Sequence, residues 1–457
     1  MKIFHFTISL IILLLTACTP KQAMVKVDTH ISHGEYKKAA KVASKQIDKS
    51  DLYAKNNLLW ELESGSAYFY DKDTNNTIKA FNNSELILKH FQEQILAKDI
   101  SQTLTSTLLN DTTRPYIGTQ YDAIMVNTYK ALEYMASGDM NSARVEFNRA
   151  IDRQRRAKIY FSEMIQKEKD AITKKEQESI KDGKNLKVDN SVINSKLSQE
   201  YPSLYAYKPY PDFINPITSY LAALFARADG NAQKAEFLFK EAYGMMPDNE
   251  YVKSDLQNDN YDQTVWLIFE NGQAPVLKEW RIDFPIWIFS NNLSFISIAL
   301  PKLVERHLAY SYLAIKLDKE KTIQTKFLSS MDRVIKTEFT KSYKSTVNRA
   351  ILSAATKAAI SYAIHQQGSN SNAAMFMSLA ASVYQIASTQ ADTRIWTTLP
   401  KEFQLAKFQR PQNGVINIVT PSNLHIKKIK LPNADNILIY VKIATPNARA
   451  SVRVIPF

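Results

Sequence analysis

The run Ala131-Leu132-Glu133-Tyr134-Met135-Ala136-Ser137-Gly138-Asp139-Met140-Asn141-Ser142-Ala143-Arg144-Val145-Glu146-Phe147-Asn148-Arg149-Ala150 decides the fold. Ala131 and Tyr134 before Gly138, and Ala143, Phe147 and Ala150 after it, recur at three- and four-residue spacing, so the segment reads as two amphipathic helices joined by a turn. The same skeleton returns 92 residues later as Ala223, Ala226, Gly230-Asn231, Ala235, Phe239 and Ala242, closed by Pro247. Small residues let the paired helices approach, glycine permits a left-handed turn between them, and proline stops the second helix. Phe147 and Phe239 are expected to fill the space between units.

Upstream, Gly34-Glu35-Tyr36 with Ala39 reads as the turn and second helix of another unit. Gly65, Tyr68 and Phe81 hold the register of a further one, although Thr77 and Ser84 stand where alanine is expected. Taken together these positions resemble the tetratricopeptide repeat, whose period is about 34 residues. The resemblance implies a helical solenoid over residues 28–258 with roughly four to six units, its first helices lining a concave face that grips a peptide or a partner helix. The side chains of those helices that the motif does not consume are Thr128, Leu132, Met135, Tyr220, Leu224 and Arg227. They form the expected partner-binding groove, and alanine at Tyr220 and Arg227 is expected to abolish capture without unfolding. Between the two clear copies, Ala143 to about Lys184 reads as one long charged helix with Ile151, Ile159, Tyr160, Met164 and Ile172 as its apolar stripe and Gly183 and Asn185 at its end. Such a helix either projects as an arm or folds back on the solenoid. Tyr205-Ala206-Tyr207-Lys208-Pro209-Tyr210-Pro211 reads as a packed loop in preference to a ligand platform.

After about residue 258 the pattern changes. Thr264–Phe269 is a β-type run, Asn271-Gly272 a turn signal, and 276–282 a second strand; 415–420, 426–431, 437–443 and 451–455 are four more. With helices inserted over 302–389, residues 259–457 read as a smaller α+β domain with an antiparallel sheet. The fold class is therefore mainly α, a tetratricopeptide-like solenoid followed by that domain. The alanine-rich stretches 350–364 and 373–387 fall short of the roughly 20 residues a spanning helix needs and read as a buried hairpin. The terminal Phe457 is no barrel signature, because six scattered short strands do not make a membrane barrel.

The N-terminus, Met1-Lys2-Ile3-Phe4-His5 followed by apolar residues through Leu15, has the charged-then-apolar pattern of a secretory leader. Leu15-Thr16-Ala17-Cys18 resembles the lipobox of bacterial lipoproteins. That resemblance implies cleavage between Ala17 and Cys18, acylation of Cys18, a lipidated linker over 18–27 and, with Thr19 where aspartate would retain the chain inside, anchoring at the periplasmic face of the outer membrane. The bland alternative is an ordinary leader followed by an incidental thiol. Cys18 is the sole cysteine among 457 residues, so no disulfide staples the chain and stability rests on a core drawn from 45% hydrophobic residues. The formal charge is +13, and loss of residues 1–17 removes Lys2 alone, leaving +12. Export excludes nucleic acid as the partner of that charge, leaving anionic lipid or peptidoglycan, or else solvated helix faces such as Gln166-Lys167-Glu168-Lys169-Asp170.

Ala391-Asp392-Thr393-Arg394-Ile395-Trp396-Thr397-Thr398-Leu399-Pro400, together with Glu270-Asn271-Gly272-Gln273-Ala274-Pro275, resembles a poorly characterised family of Gram-negative repeat lipoproteins often encoded beside lipoprotein activators of penicillin-binding proteins. The resemblance implies an envelope role and no reaction. Asp392, Arg394 and Trp396 form either a recognition patch or a structural junction in which an ion pair and a buried ring fix helix to sheet. No nucleophile and base, phosphate loop or metal-ligand cluster is legible: His30 and His33 lack further ligands, and Glu63-Ser64 and Glu178-Ser179 lack the context of lytic transglycosylases. The expectation is a non-enzymatic scaffold without cofactor or metal. Its expected partners are cell-wall synthases, their activators or outer-membrane assembly machinery, with a peptidoglycan-binding or lytic protein as the alternative.

Overall fold

The computed structural model describes residues 19–97, 114–181, 190–206, 209–210, 214–257, 262–288, 292–317, 321–367 and 390–457. Its N-terminal half is a row of helical hairpins. Helix α1 (Thr19–Ser32) pairs with α2 (Tyr36–Ser44), and α3 (Asn57–Asp71) with α4 (Thr74–Ala97). Helix α5 (Gln120–Ser137) pairs with α6 (Met140–Lys181); after α7 (Asn190–Glu200), α8 (Pro216–Ala228) pairs with α9 (Ala232–Met245), and α10 (Glu250–Gln257) packs on α9. Each hairpin turns through a residue at positive φ, namely Gly34, Lys72, Gly138 and Gly230. The helix pairs interlock as the small and aromatic spacing requires: Ala143, Phe147, Ala235 and Phe239 are all buried, Phe147 lies 5.2 Å from Phe225, and Phe239 meets Tyr220 edge-on at 5.8 Å. Neighbouring hairpins touch through α4 and α5, α3 and α5, and α6 and α8.

The strands that follow are β1 (Thr264–Asn271), β2 (Val276–Ile288), β3 (Asn292–Val304), β4 (Ala314–Lys316), β5 (Thr322–Gln324) and β6 (Lys326–Ser330). Helix α11 (Met331–Gln367) then leads to β7 (Glu402–Gln409), β8 (Val415–Val419), β9 (His425–Lys430), β10 (Asn436–Ile443) and β11 (Ser451–Pro456). They form a five-stranded sheet in the order β11-β10-β1-β7-β6, a four-stranded sheet β5-β4-β8-β9 and a β2-β3 ribbon. Every residue of β1 is buried, because the central sheet is covered on both faces. Trp266, Ile268, Leu438, Tyr440 and Leu405 point into the core shared with the hairpins, while Val265, Leu267, Phe269, Ile437 and Ile439 pack on Ile315, Ile416, Ile418 and Ile429 of the smaller sheet. Ile282, Ile298 and Leu300 of the ribbon pack against Tyr343, Val347 and Ile351 of α11.

The structure corrects several expectations. Residues 19–27 are not a linker: they belong to helix α1, with Ala23, Val27 and Ile31 buried at four-residue spacing. The central sheet is mixed, since β1 runs parallel to β10 and antiparallel to β7. The span 302–330 holds the end of β3 and strands β4 to β6, and helix begins only at Met331. Three-residue strands are too short to carry a period, which explains why they were read through. On α6 the buried stripe is Ile151, Gln154, Ala157 and Phe161, whereas Ile159 is 63% exposed. One core runs from Val27, Phe69 and Phe239 in the hairpins to Trp266, Trp396 and Phe403, so the 258/259 boundary separates kinds of element and not separate cores. The leader with Ala17 and Cys18, the helix end at Gly183 and Asn185, and the stretch 373–387 lie outside the described residues. Among the described residues no helix is long and apolar enough to cross a membrane.

Gly34 and Gly138 separate two costs. Both have positive φ, but a Cβ at Gly34 would lie 2.2 Å from the Arg449 carbonyl oxygen, where the β10–β11 loop crosses the first hairpin, while Gly138 has nothing within 4 Å. Gly138→Ala should cost about 1–2 kcal/mol from the backbone alone. Gly34→Ala should cost clearly more, read as a larger drop in urea midpoint; equal drops would contradict the packed loop.

Candidate functional site

The side of the array built from α3, α5 and α8 is closed by the chain's own sheet. Tyr129 of α5 and Tyr440 of β10 both donate to Glu270 Oε1 of β1, at 2.8 and 2.5 Å. Arg453 of β11 donates to Glu133 of α5 at 3.0 Å and to the Phe69 carbonyl of α3 at 2.7 Å. Tyr220 of α8 donates to Asp255 at 2.5 Å, and Asp255 also receives Lys407 of β7 at 2.6 Å.

The expected groove is therefore overturned. Thr128, Leu132, Met135, Tyr220 and Leu224 are all buried. Thr128 meets Thr218 at 2.9 Å, and Arg227 donates to the Asp255 carbonyl at 2.7 Å over the Phe239 ring. These side chains fix one helix to the next and to the sheet, so alanine at Tyr220 or Arg227 removes internal contacts and a loss of stability is the expected result. Of the junction residues, Trp396 is buried, with Nε1 donating to Ser66 at 3.1 Å and Thr398 at 2.8 Å. Asp392 and Arg394 form an ion pair at 2.6 Å, and Arg394 reaches Asn56 at 3.0 Å. The two segments singled out for their resemblance meet: Ala274 N–H donates to the Leu399 carbonyl at 2.7 Å, and Lys401 N–H to that of Asn271 at 3.0 Å. His30 pairs with Glu35 and His33 with the Thr29 carbonyl, each at 2.7 Å. Glu63 sits inside the core, accepting from Thr397 N–H at 2.6 Å, and burial pushes it up to about 7. Glu178 lies on the distal part of α6.

Asp392 and Arg394 also border a cleft of about 420 Å³. Its walls are the 114–121 segment leading into α5, Phe161 and Met164 of α6, Ile335 to Arg349 of α11, and Leu277 and Pro301 of the ribbon. The size is that of a small-molecule site. Aromatic and aliphatic groups dominate the lining, with Arg114, Arg349 and Arg394 among them. Thr119 caps α5 in a reciprocal box with Asp122, and Tyr116 donates to Asp122 at 2.8 Å. Glu338 of α11 accepts the Gln120 N–H on both oxygens at 3.0 Å, so a side chain from another element satisfies a free donor of α5. Burial, opposed by these bonds, pushes Glu338 up to about 8; burial likewise lifts Asp122 to about 6. Two cleft hydroxyls on α11 are spent on backbone: Ser342 donates to the Glu338 carbonyl and Thr346 to that of Ser342. No histidine or cysteine is among the lining residues, and among the described residues no group of three metal-ligating side chains occurs. The arrangement suits binding of an apolar ligand. Sequence reasoning missed Glu338 and Arg349, which sit within one long helix of mixed polarity; the Thr119-x-x-Asp122 box ahead of an apolar helix was the available signal.

On the opposite layer, Val145, Asn148, Asp152, Arg155 and Ile159 share one outward face of α6, and Phe237 of α9 lies beside it under Arg155 at 5.7 Å. No family model, curated protein or solved structure matches the chain.

Glu338 sets a pH dependence. Its folded value lies above the ordinary glutamate value, so the native state holds a proton that the unfolded chain releases from roughly pH 4.3 upward, and stability falls as pH rises toward 8. Asp122 and Glu63 act with the same sign. The melting temperature should be lower near pH 8 than near pH 5, and Glu338→Gln should narrow that gap; an unchanged gap would show that Glu338 does not carry it.

Proposed function

We propose that the chain is a lipid-anchored scaffold or adaptor of the cell envelope, non-enzymatic and held through acylated Cys18 at the periplasmic face of the outer membrane. In this reading its hairpins are degenerate tetratricopeptide-like units whose outer layer, not the concave side, receives partners. The supporting observation is exposure: Val145, Ile159 and Phe237 are 46%, 63% and 53% exposed along one seam, while the inner face is filled by the sheet. Val145 and Ile159 are spaced about 21 Å apart along one face of α6, with Phe237 beside that face under Arg155, and exposed apolar side chains with an arginine among them favour contact with another protein. The partners proposed are a cell-wall synthase, its activator, or outer-membrane assembly machinery. The formal charge of +13 favours one second reading, binding to the anionic sacculus.

Crosslinking and affinity capture from intact envelopes tests the scaffold. Ile159→Asp with Phe237→Asp should remove at least nine-tenths of the captured partner while the melting temperature stays unchanged, because both side chains are exposed; undiminished capture would reject the seam. Retention on purified sacculi without released muropeptides would favour the second reading, and released products would make the chain an enzyme.

A further inference from the structure

The beginning of α1 and the cleft lie at the same end of the molecule. Met24 touches Thr397, Thr397 N–H is held by Glu63 of α3, and just past the end of α1 the His33 carbonyl accepts from Arg449 N–H. The β10–β11 region also receives the far end of α3, where Ser451 donates to the Tyr70 carbonyl at 2.5 Å. Helices α1 and α3 thus run side by side in the same direction. Thr19 lies five residues before Met24, about 8 Å along the axis, and Asn57 lies six before Glu63, about 9 Å. At that level Arg394 binds Asn56, and Tyr116 N–H donates to the Lys55 carbonyl at 2.8 Å. Arg394 and Tyr116 both belong to the cleft wall, and residue 18 is one peptide bond before Thr19.

We propose that the cleft takes an acyl chain of an anionic phospholipid from the membrane to which the chain is tethered. The positional half of this inference rests on acylation of Cys18, because a lipid there brings the cleft-bearing end to the bilayer surface. The chemical half rests on the cleft itself. A volume of about 420 Å³ walled by Phe161, Met164, Ile335 and Phe339 suits a flexible aliphatic chain. Arg114, Arg349 and Arg394 outnumber Asp392 and Glu338, and burial holds Glu338 toward its neutral form, so the charge of the lining favours an anionic head group.

The test uses the full acylated chain, purified in detergent and reconstituted with vesicles of phosphatidylglycerol carrying a photoreactive diazirine on one acyl chain. Crosslinks should map to Phe161, Ile335 or Phe339, and Ser342→Trp, which fills the cleft, should lower them at least tenfold. Arg349→Glu, which leaves the volume intact, should lower them severalfold, with Arg349→Lys restoring them. Phosphatidylcholine vesicles should label severalfold less. Crosslinks that survive Ser342→Trp, or that map outside the cleft, would overturn the proposal; equal labelling by both lipids would overturn its anionic half. Incorporation of a palmitate analogue, lost in Cys18→Ala, reads the tether in the same preparation. A labelled cleft without palmitate would uphold the occupant and reject the tether, whereas palmitate with an unlabelled cleft would reject the occupant alone.

Discussion

Glu270 is a fully buried carboxyl group on the central strand, and helix, sheet and turn converge on it. Two tyrosine hydroxyls reach it, one from α5 and one from β10, and Lys442 lies 3.9 Å away with its ammonium on the Gly272 carbonyl. A buried charge that loses a partner costs several kcal/mol, so neither the helices nor the sheet can be withdrawn independently. Arg453 with Glu133, and Trp396 with Ser66, repeat the same dependence at two further points of the interface. The inner side of the hairpin array is thus closed by polar bonds that specify one docking geometry as well as by buried apolar area.

That closure redistributes the surfaces able to act. A row of helical pairs ordinarily offers the side lined by its first helices; here α3 and α5 are committed to β1, β10 and β11, and α8 to β6. What remains is the outer layer, where α6 outruns its partner α5 by a wide margin, 42 residues against 18, and the ends of the row. The cleft arises beside the outer layer where α5 begins, in the third hairpin of the row, because the ribbon and α11 lean over that entry, and Glu338 ties α11 to α5 through the helix's free N–H groups.

The hairpins were legible because alanine and phenylalanine at fixed spacing state directly which residues touch. Strand length did not decide which strands were legible: Thr264 to Phe269 reads as a continuous apolar run because both of its faces are covered, and the short β8 was read too, whereas the 13 residues of β3 and the eight of β7 were missed. The partners of β1 were not legible, since β7 and β10 lie far along the chain and nothing local distinguishes a parallel neighbour from an antiparallel one. The groove was misread for a different reason. In α8, Pro216–Ala228, Arg227 is the one charged residue, and a helix apolar on every side belongs inside a protein. That composition was the sign that something covers the face a single repeat would leave open.

Helix α5 carries the contrast that separates scaffold from site. On one side Lys130 is almost wholly buried between Glu85 at 2.7 Å and Glu146 at 2.9 Å. Burial alone would raise Glu85, yet the bond and charge of Lys130, aided by Arg153, bring it down to about 2. At the entry to the same helix Glu338 meets only backbone N–H groups, and burial carries it the other way, to about 8. The difference is the presence of a cation. Where ion pairs lock α5 to α4 and α6, the carboxylate is held ionised and the helix serves architecture; where backbone dipoles alone meet a carboxyl among aromatic rings, burial wins and the carboxyl is carried toward its neutral form.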